Sequence, residues 1–189
     1  CLHRLHSGPG DDRLDGGGGI DTAAYERARA DYRVDTVDGS ISVLALAGDE
    51  GRDLLSGVER LAFADSGLAF DFDGHAGTTA RLLGLLFGPA AVHNEASTGL
   101  GLRLLDGGMT PSTLMQAALD IRLGNGFSHG SLVDLLFSSL FGAPPDAGSR
   151  AFWVAQLQDG VFSDTSLALA AAGLDLNDQH IGLAGLMDA

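Results

Sequence analysis

Strand-forming residues alternate with polar residues through residues 25–74 of this chain. Alternation with a period of two is typical of β-strands that bury one face. The pair Asp38-Gly39 predicts a tight turn between two such strands, and Gly48–Gly51 predicts a second turn. The strand positions predicted in this way are Tyr32, Val34, Thr36, Ile41, Val43 and Ala45, then Val58, Leu61, Phe63, Leu68, Phe70 and Phe72.

From residue 75 onward, the apolar residues follow the period of an α-helix. Thr110 followed by Pro111 predicts the start of one helix, and Gly124 predicts its end. We therefore expect a compact bundle of five to seven short helices. Two further helices are bracketed by Asp146 and Gly160 and by Ser163 and Gly173. The clearest apolar stripe consists of Val133, Leu136, Phe137, Leu140 and Phe141.

The helical half also contains a weak internal repeat. Leu86-Phe87-Gly88 recurs as Leu140-Phe141-Gly142, displaced by 54 residues, whereas residues 105–108 recur at 157–160, displaced by 52. Two copies of one helix-turn-helix unit, the first with a two-residue insertion, explain both displacements; chance is the alternative. The two predicted copies are residues 77–124 and 128–173.

The amino-acid composition disfavours several classes of binding partner. The 189 residues include 25 acidic and 11 basic residues, which gives a net charge of −14. All the basic residues are Arg, 21 of the acidic residues are Asp, and 28 residues are Gly. This charge disfavours nucleic acid and anionic membrane as partners, and no apolar run approaches the ~18 residues of a membrane span. The single cysteine, Cys1, excludes an internal disulfide or a cysteine-based metal cluster.

Two consecutive nonapeptides, residues 7–15 and 16–24, fit the pattern G-G-x-G-x-D-x-U-x. Glycines adopt the positive φ angles of a sharp turn, and carbonyls with a sixth-position carboxylate form an oxygen cage suited to calcium. The last three residues of each copy predict a short strand with one inward apolar side chain. The expected ligands are the carboxylates of Asp12 and Asp21 and the carbonyls of Gly8, Gly10, Gly17 and Gly19. The alternative is a glycine-rich loop that binds no ion.

Successive turns of such a roll lie on opposite sides, so a complete site needs turns that are two copies apart. The turn at 16–21 would face a degenerate copy with His3 at the sixth position. The turn at 10–12 would face residues 25–33, which contain no Gly. We therefore expect half-sites in this chain, with the remaining turns upstream of residue 1.

The nonapeptides resemble the RTX, or hemolysin-type, calcium-binding repeats of secreted bacterial proteins. Residues 19–25 and 51–65 are similar to the strand segment that closes RTX rolls. The following residues resemble a helical domain of unknown function that is common behind such repeats. The motifs that carry this second resemblance are residues 71–77, 142–148 and 152–160; the first helical copy lacks their Pro-Asp pair and aromatic-Trp dipeptide.

The resemblance implies an α+β fold in three parts. Residues 1–24 would be the remnant of a Gly/Asp-rich parallel β-roll, residues 25–74 its short closing strands, and residues 75–189 an all-α bundle of short helices. The implied function is a non-catalytic C-terminal module of a secreted, extracellular protein, which folds on calcium outside the cell and caps the roll. Type I secretion would use a C-terminal signal, for which residues 181–189 are the candidate.

Two other functions stay open for the parent protein. The chain could be the tail of a secreted enzyme with an upstream catalytic domain, or a surface-layer or adhesion component that self-associates or binds the cell surface. Among other candidate sites, the six His residues show no zinc motif, and Asp71–Gly74 is interpreted as a helix cap rather than half an EF-hand. Phe152-Trp153 and the apolar helical stripe are interpreted as core, with a sugar site and a partner surface as their alternatives.

Overall fold

The computed structural model describes residues 3–37 and 39–183 of the chain. It is a mixed α+β protein, as predicted, and it divides into two compact units, Cys1–Phe72 and Asp73–Ala189. We refer to these as the strand unit and the helical unit. Predictions that involve Cys1, Asp38 or residues 184–189 fall outside the described residues.

The strand unit contains two four-stranded sheets with both parallel and antiparallel pairs. One sheet has the order β1-β3-β7-β8 and the other has the order β2-β6-β5-β4. A single 3-10 turn at Arg29–Asp31 precedes β4. The strands are β1 (Arg4–His6), β2 (Arg13–Asp15), β3 (Thr22–Ala24), β4 (Tyr32–Val37), β5 (Ser40–Ala45), β6 (Arg52–Ser56), β7 (Arg60–Ala62) and β8 (Gly67–Ala69).

Strands one nonapeptide apart lie in different sheets. Parallel pairing joins β1 to β3 with Arg4 opposite Thr22, two nonapeptides further along the chain, whereas β2 lies in the other sheet. Short strands therefore form at 13–15 and 22–24, as predicted, and they lie in different sheets.

Residues 25–33, which contain no Gly, do not continue the nonapeptide strands. The chain instead makes the antiparallel hairpin β4–β5 and then returns, with β6 parallel to β2 and β7 parallel to β3. The alternation in β4 and β5 was predicted correctly. The alternation pattern did not mark β6, although it lies within residues 51–65, where strand was expected. Val58 and Phe63 were placed within a strand, but they flank β7.

The strand unit has one apolar core, because the inward residues of both sheets meet there. Ala23, Leu61 and Leu55 occupy the apolar positions of β3, β7 and β6 and are almost fully buried. Three aromatic rings pack against each other beside them at centroid distances of 5.0, 5.3 and 5.6 Å. These rings belong to Tyr25, Tyr32 and Phe63.

The described part of the helical unit contains eight helices, more than the expected five to seven, because two of them are short. None of the described helices has the length and apolarity that crossing a bilayer requires. The helices are α1 (His75–Phe87), α2 (Pro89–Val92), α3 (Glu95–Asp106), α4 (Pro111–Leu123), α5 (His129–Phe141), α6 (Ala147–Gln158), α7 (Asp164–Ala172) and α8 (Asp175–His180).

Helix caps lie largely where the sequence predicted them. Thr110, Asp146 and Ser163 each accept a backbone N–H bond at the N-cap of α4, α6 and α7. A helix begins after Asp71–Gly74, as predicted, but the expected side-chain cap is absent there. Gly74 is the N-cap of α1 and provides no side chain, while the Asp71 carboxylate pairs with Arg60 of β7.

Helices α1, α3 and α4 occur in the same order and spacing as α5, α6 and α7. Their first residues are displaced by 54, 52 and 53 positions. Helix α2 occupies the extra length between α1 and α3, which accounts for the smaller second displacement. The core of the unit lies where α1 packs against α4, α5 and α7, around the fully buried residues Met115, Leu119, Leu132 and Ala168.

Candidate metal centre

Strand register places the sixth-position residues of the stacked turns opposite one another. Arg4 pairs with Thr22, and Thr22 pairs with Arg60, so the residues that precede them form the series His3, Asp21 and Glu59. We call this series the Asp21 column. On the other side, Arg13 pairs with Leu54, which places Asp12 opposite Asp53. We call this pair the Asp12 column.

Three of the four carboxylates in these columns, those of Asp21, Glu59 and Asp53, accept a hydrogen bond from the backbone of the preceding turn. The N–H of His3 donates to Asp21 Oδ1 at 2.7 Å, and the N–H of Asp21 donates to Glu59 Oε2 at 2.9 Å. The N–H of Asp12 donates to Asp53 Oδ1 at 3.1 Å. The same interaction recurs three times, so the sixth-position carboxylates link neighbouring turns without any ion.

Asp21 is the one carboxylate of these columns with an unsatisfied buried oxygen. Its side chain has 0% exposure, and Oδ1 lies 3.0 Å from His3 Nδ1 in addition to its backbone bond. Oδ2 is buried and has no hydrogen-bond partner. Buried polar atoms are nearly always paired, since an unpaired one costs about 1–3 kcal/mol. A cation at Oδ2 would remove this cost, so Asp21 fits the chemistry of a calcium ligand.

Two of the four predicted glycine carbonyls lie against a neighbouring turn. The carbonyl oxygen of Gly17 lies against Gly57 of the stacked turn, and that of Gly10 lies against Gly51. Gly10, Gly17 and Gly19 have the positive φ angles expected of these turns, at +101°, +80° and +121°. The backbones of Gly10 and Gly17 therefore approach the neighbouring turn closely.

The backbone N–H of Gly8, rather than its carbonyl, makes the contact that the structure shows at this residue. Its N–H donates to Asp12 Oδ2 at 3.0 Å, which closes the turn between β1 and β2 within itself. One oxygen of the Asp12 carboxylate is thus already occupied by its own turn. Gly16, which was not a predicted site residue, packs so tightly that a Cβ there would lie 2.0 Å from the carbonyl oxygen of Gly57.

The Asp12 column is closed by protein groups. Asp53 is 2% exposed, and both its oxygens have partners, since the Tyr25 hydroxyl donates to Oδ2 at 3.1 Å. Burial raises the pKa of the Asp53 carboxyl, and the nearby Asp12 carboxylate raises it further. Desolvation and the Asp53 carboxylate likewise raise the pKa of the Tyr25 hydroxyl, which keeps it protonated as a donor.

The predicted side-chain ligands Asp12 and Asp21 therefore lie in different columns and do not share one site. Among residues 3–37 and 39–183, no cluster of three or more His, Cys, Asp and Glu side chains is arranged to hold a metal. A complete cage at Asp21 would need backbone carbonyls as its remaining donors.

Sequence analysis missed two residues of the columns, Asp53 and Glu59. A signal for both was present: residues 51–56 reproduce positions four to nine of the nonapeptide, G-x-D-x-U-x. Residues 59–62 reproduce the last four positions with Glu in place of Asp. The six-residue spacing between Asp53 and Glu59, instead of nine, breaks the period and hides the match.

Comparisons with known proteins provide no relative whose site could be set beside this geometry. A scan of family models and searches of curated proteins and of solved structures found no match to this chain.

Proposed function

We propose that this chain is a non-catalytic, calcium-binding module of a secreted RTX-type protein, and that residues 3–24 with 51–62 are the end of its parallel β-roll. The single observation that carries the proposal is the buried, unpartnered Oδ2 of Asp21 at the sixth nonapeptide position. The alternation of successive short strands between two sheets, in a register of two nonapeptides, supports the roll.

Calcium at this position would be held by the Asp21 carboxylate and by the carbonyls of Gly17 and Gly19. A bound calcium ion would neutralise the negative charge of the buried Asp21 carboxylate. Asp12, with Gly8 and Gly10, would be the weaker site, because Asp12 Oδ2 already accepts the Gly8 N–H. His3, at 3.0 Å from Asp21, occupies the place where an intact repeat would present another carboxylate.

Ion-gated folding follows from this charge distribution. With a net charge of −14, the chain gains little from compaction where calcium is scarce, since its carboxylates repel. At the millimolar calcium concentrations found outside cells, ligation would cancel that repulsion, and the free energy of binding would become free energy of folding. Secretion, the type I export signal and the capping role of residues 75–189 stay predictions.

A calcium titration with Asp21→Asn tests this function. We expect calcium up to about 5 mM, but not magnesium, to raise the melting temperature of the wild-type chain. Asp21→Asn keeps the size of the side chain and should abolish the rise. Asp31→Asn, an exposed carboxylate of the same unit that belongs to neither column, is the matched control and should retain it. A wild-type melting temperature that ignores calcium would contradict the proposal.

A further inference from the structure

The two halves of the helical unit present equivalent apolar clefts. The first cleft lies between α1, α3 and α4 and has a volume of about 570 Å³. The second cleft lies between α5, α6 and α7 and has a volume of about 290 Å³. Their walls are related residue by residue at displacements of 52 to 54. The related lining pairs include Leu82 with Leu136, Phe87 with Phe141, Leu114 with Leu167, and Ile121 with Leu174.

Exposed apolar side chains of the helical unit follow the same relation. Among its described residues, seven large hydrophobic side chains are exposed, and six of them form three related pairs that are 39% to 78% exposed. Five of these six line a cleft, whereas Phe152 and the seventh residue, Val161, line neither. The three pairs are Phe87 with Phe141, Leu100 with Phe152, and Ile121 with Leu174.

A packed bundle gives no reason for this correspondence. Core packing explains why buried positions are apolar in both copies, but it does not require apolar residues at positions that face water. Contiguous exposed apolar surface marks interaction sites more often than scattered single residues do. Since both copies keep apolar residues at the same exposed positions, the clefts are binding surfaces of one kind.

One position makes the two clefts differ in size. Gly101 of α3 stands where α6 has Trp153. A Cβ at Gly101 would lie 2.6 Å from Thr79 Cγ2, so α3 rests directly against α1. In the second cleft the rings of Trp153 and Phe162, 6.1 Å apart, fill part of the equivalent space. The first cleft therefore accepts larger apolar groups than the second.

The charge of the helical unit indicates what occupies the clefts. Residues 73–183 include ten acidic residues and four Arg. Arg81 forms a bidentate pair with Asp178, and Arg150 forms one with Asp134; because each pair cancels one charge of each sign, the acidic excess of the unit remains. In sequence, Asp175 directly follows the rim residue Leu174, whereas the rim residue Ile121 lies between Asp120 and Arg122.

We propose that each cleft binds the apolar face of an amphipathic helix whose flanks carry Lys or Arg, supplied by a partner protein. The apolar lining suits the Leu or Phe side chains of such a helix, and the acidic surroundings suit its basic flanks. A second copy of this chain is a poor occupant, because it carries the same net charge of −14 and would be repelled. This inference does not depend on calcium.

A pair of model peptides tests the proposal. One peptide is an idealised leucine–lysine helix of about 18 residues, and the other is a leucine–glutamate helix with the same apolar face. Fluorescence anisotropy should give two bound leucine–lysine peptides per chain, and affinity for the glutamate peptide should be at least about tenfold weaker. Trp153 is the only tryptophan in the chain, so its emission reports occupancy of the second cleft separately.

Substitutions at the exposed rims separate the two clefts. Leu174→Gln should remove the change in Trp153 emission and leave one bound peptide. Ile121→Gln should keep the emission change and also leave one bound peptide. Val161→Gln, the matched control of similar exposure, should bind two. The proposal is overturned if the leucine–lysine and leucine–glutamate peptides bind equally. It is also overturned if the variant that carries both Ile121→Gln and Leu174→Gln binds as the wild type does.

Two further outcomes would also overturn it. If the wild-type chain sediments as a dimer that Ile121→Gln and Leu174→Gln dissociate, a second copy fills the clefts. If the chain partitions into phosphatidylcholine vesicles and ignores the leucine–lysine peptide, the exposed residues face a lipid surface.

Discussion

The backbone N–H of Asp12 donates a hydrogen bond to the Asp53 carboxylate at 3.1 Å, although the two residues are 41 positions apart in the chain. This bond joins the turn before β2 to the start of β6. It shows how the chain resumes its parallel pairing after the β4–β5 hairpin. The opposite oxygen of Asp53 receives the Tyr25 hydroxyl, so one buried side chain links three separate segments.

Replacing Asp53 with alanine should destabilise the strand unit strongly. The substitution leaves the buried Asp12 N–H and the Tyr25 hydroxyl without their acceptor, which costs about 1–3 kcal/mol for each buried group left unpaired. The free energy of unfolding, measured in urea, should fall by roughly 2–4 kcal/mol. Asp35→Ala on the exposed face of the hairpin should change it by less than about 1 kcal/mol. An Asp53→Ala variant as stable as Asp35→Ala would show that these bonds contribute nothing.

The raised pKa of Asp53 predicts how the free energy of unfolding changes with pH. Because the folded-state pKa lies above the unfolded value, the unfolded chain ionises first as pH rises, and stability is lost between the two pKa values. The wild-type chain should therefore gain stability relative to Asp53→Asn as pH falls from 7 toward about 4. The test is the difference between the two unfolding free energies at each pH. A difference that is constant with pH would contradict the burial of an ionised carboxylate here.

The contact between Gly101 and Thr79 predicts a pair of opposite alanine effects within α3. Gly101→Ala should reduce the free energy of unfolding by about 1–3 kcal/mol, because the new methyl group overlaps Thr79 Cγ2 and the buried Thr79 side chain has to shift. Gly99→Ala in the same helix faces only the end of the Arg103 side chain and should stabilise by about 0.5–1 kcal/mol.

Adding Thr79→Ala to Gly101→Ala removes the overlapping methyl group and should restore part of the lost stability. Thermal denaturation of the single and double variants measures this coupling. Strictly additive effects would mean that the two side chains do not meet.

Ser163 offers a test of the capping interaction in the second helical copy. Its hydroxyl accepts the Ser166 N–H at 3.1 Å, and the Ser166 hydroxyl accepts the Ser163 N–H at 2.9 Å. Ser163→Ala should therefore reduce the free energy of unfolding by about 1 kcal/mol. Ser163→Asn, which also caps helices well, should lose much less. Equal losses in the two variants would assign the effect to the hydroxyl's other contacts.

Local chemistry explains most of the elements that the sequence predicted correctly. The β4–β5 alternation, the Thr110 and Ser163 caps, and the strands at 13–15 and 22–24 each depend on residues only a few positions apart. Asp71 shows where the same reasoning fails. Its position suggested a helix cap, but its carboxylate pairs with Arg60, which only the folded sheet brings near.

The missed half of the candidate site depends on long-range pairing. Asp53 and Glu59 become sixth-position residues only because β6 and β7 return beside β2 and β3. Their spacing along the chain does not match the repeat, so the pattern at 51–56 carries no weight until the register is known. The same holds for the exposed rims of the helical clefts. A periodic stripe predicts which residues share a helix face, and Phe141 shares that face with buried Leu140 while remaining exposed itself.

The β4–β5 hairpin, which separates β3 from β6 along the chain, also determines the order in which the strand unit can assemble. The first three strands have only three residues each, and among the described residues β2 has one neighbour in its sheet, β6, about forty positions later in the chain. Closing so long a loop is slow compared with forming a single turn. When the chain is synthesised from its N-terminus, the glycine-rich segment would therefore stay incompletely paired until residue 62 has been added. The ion binding proposed for this segment would then appear late and abruptly.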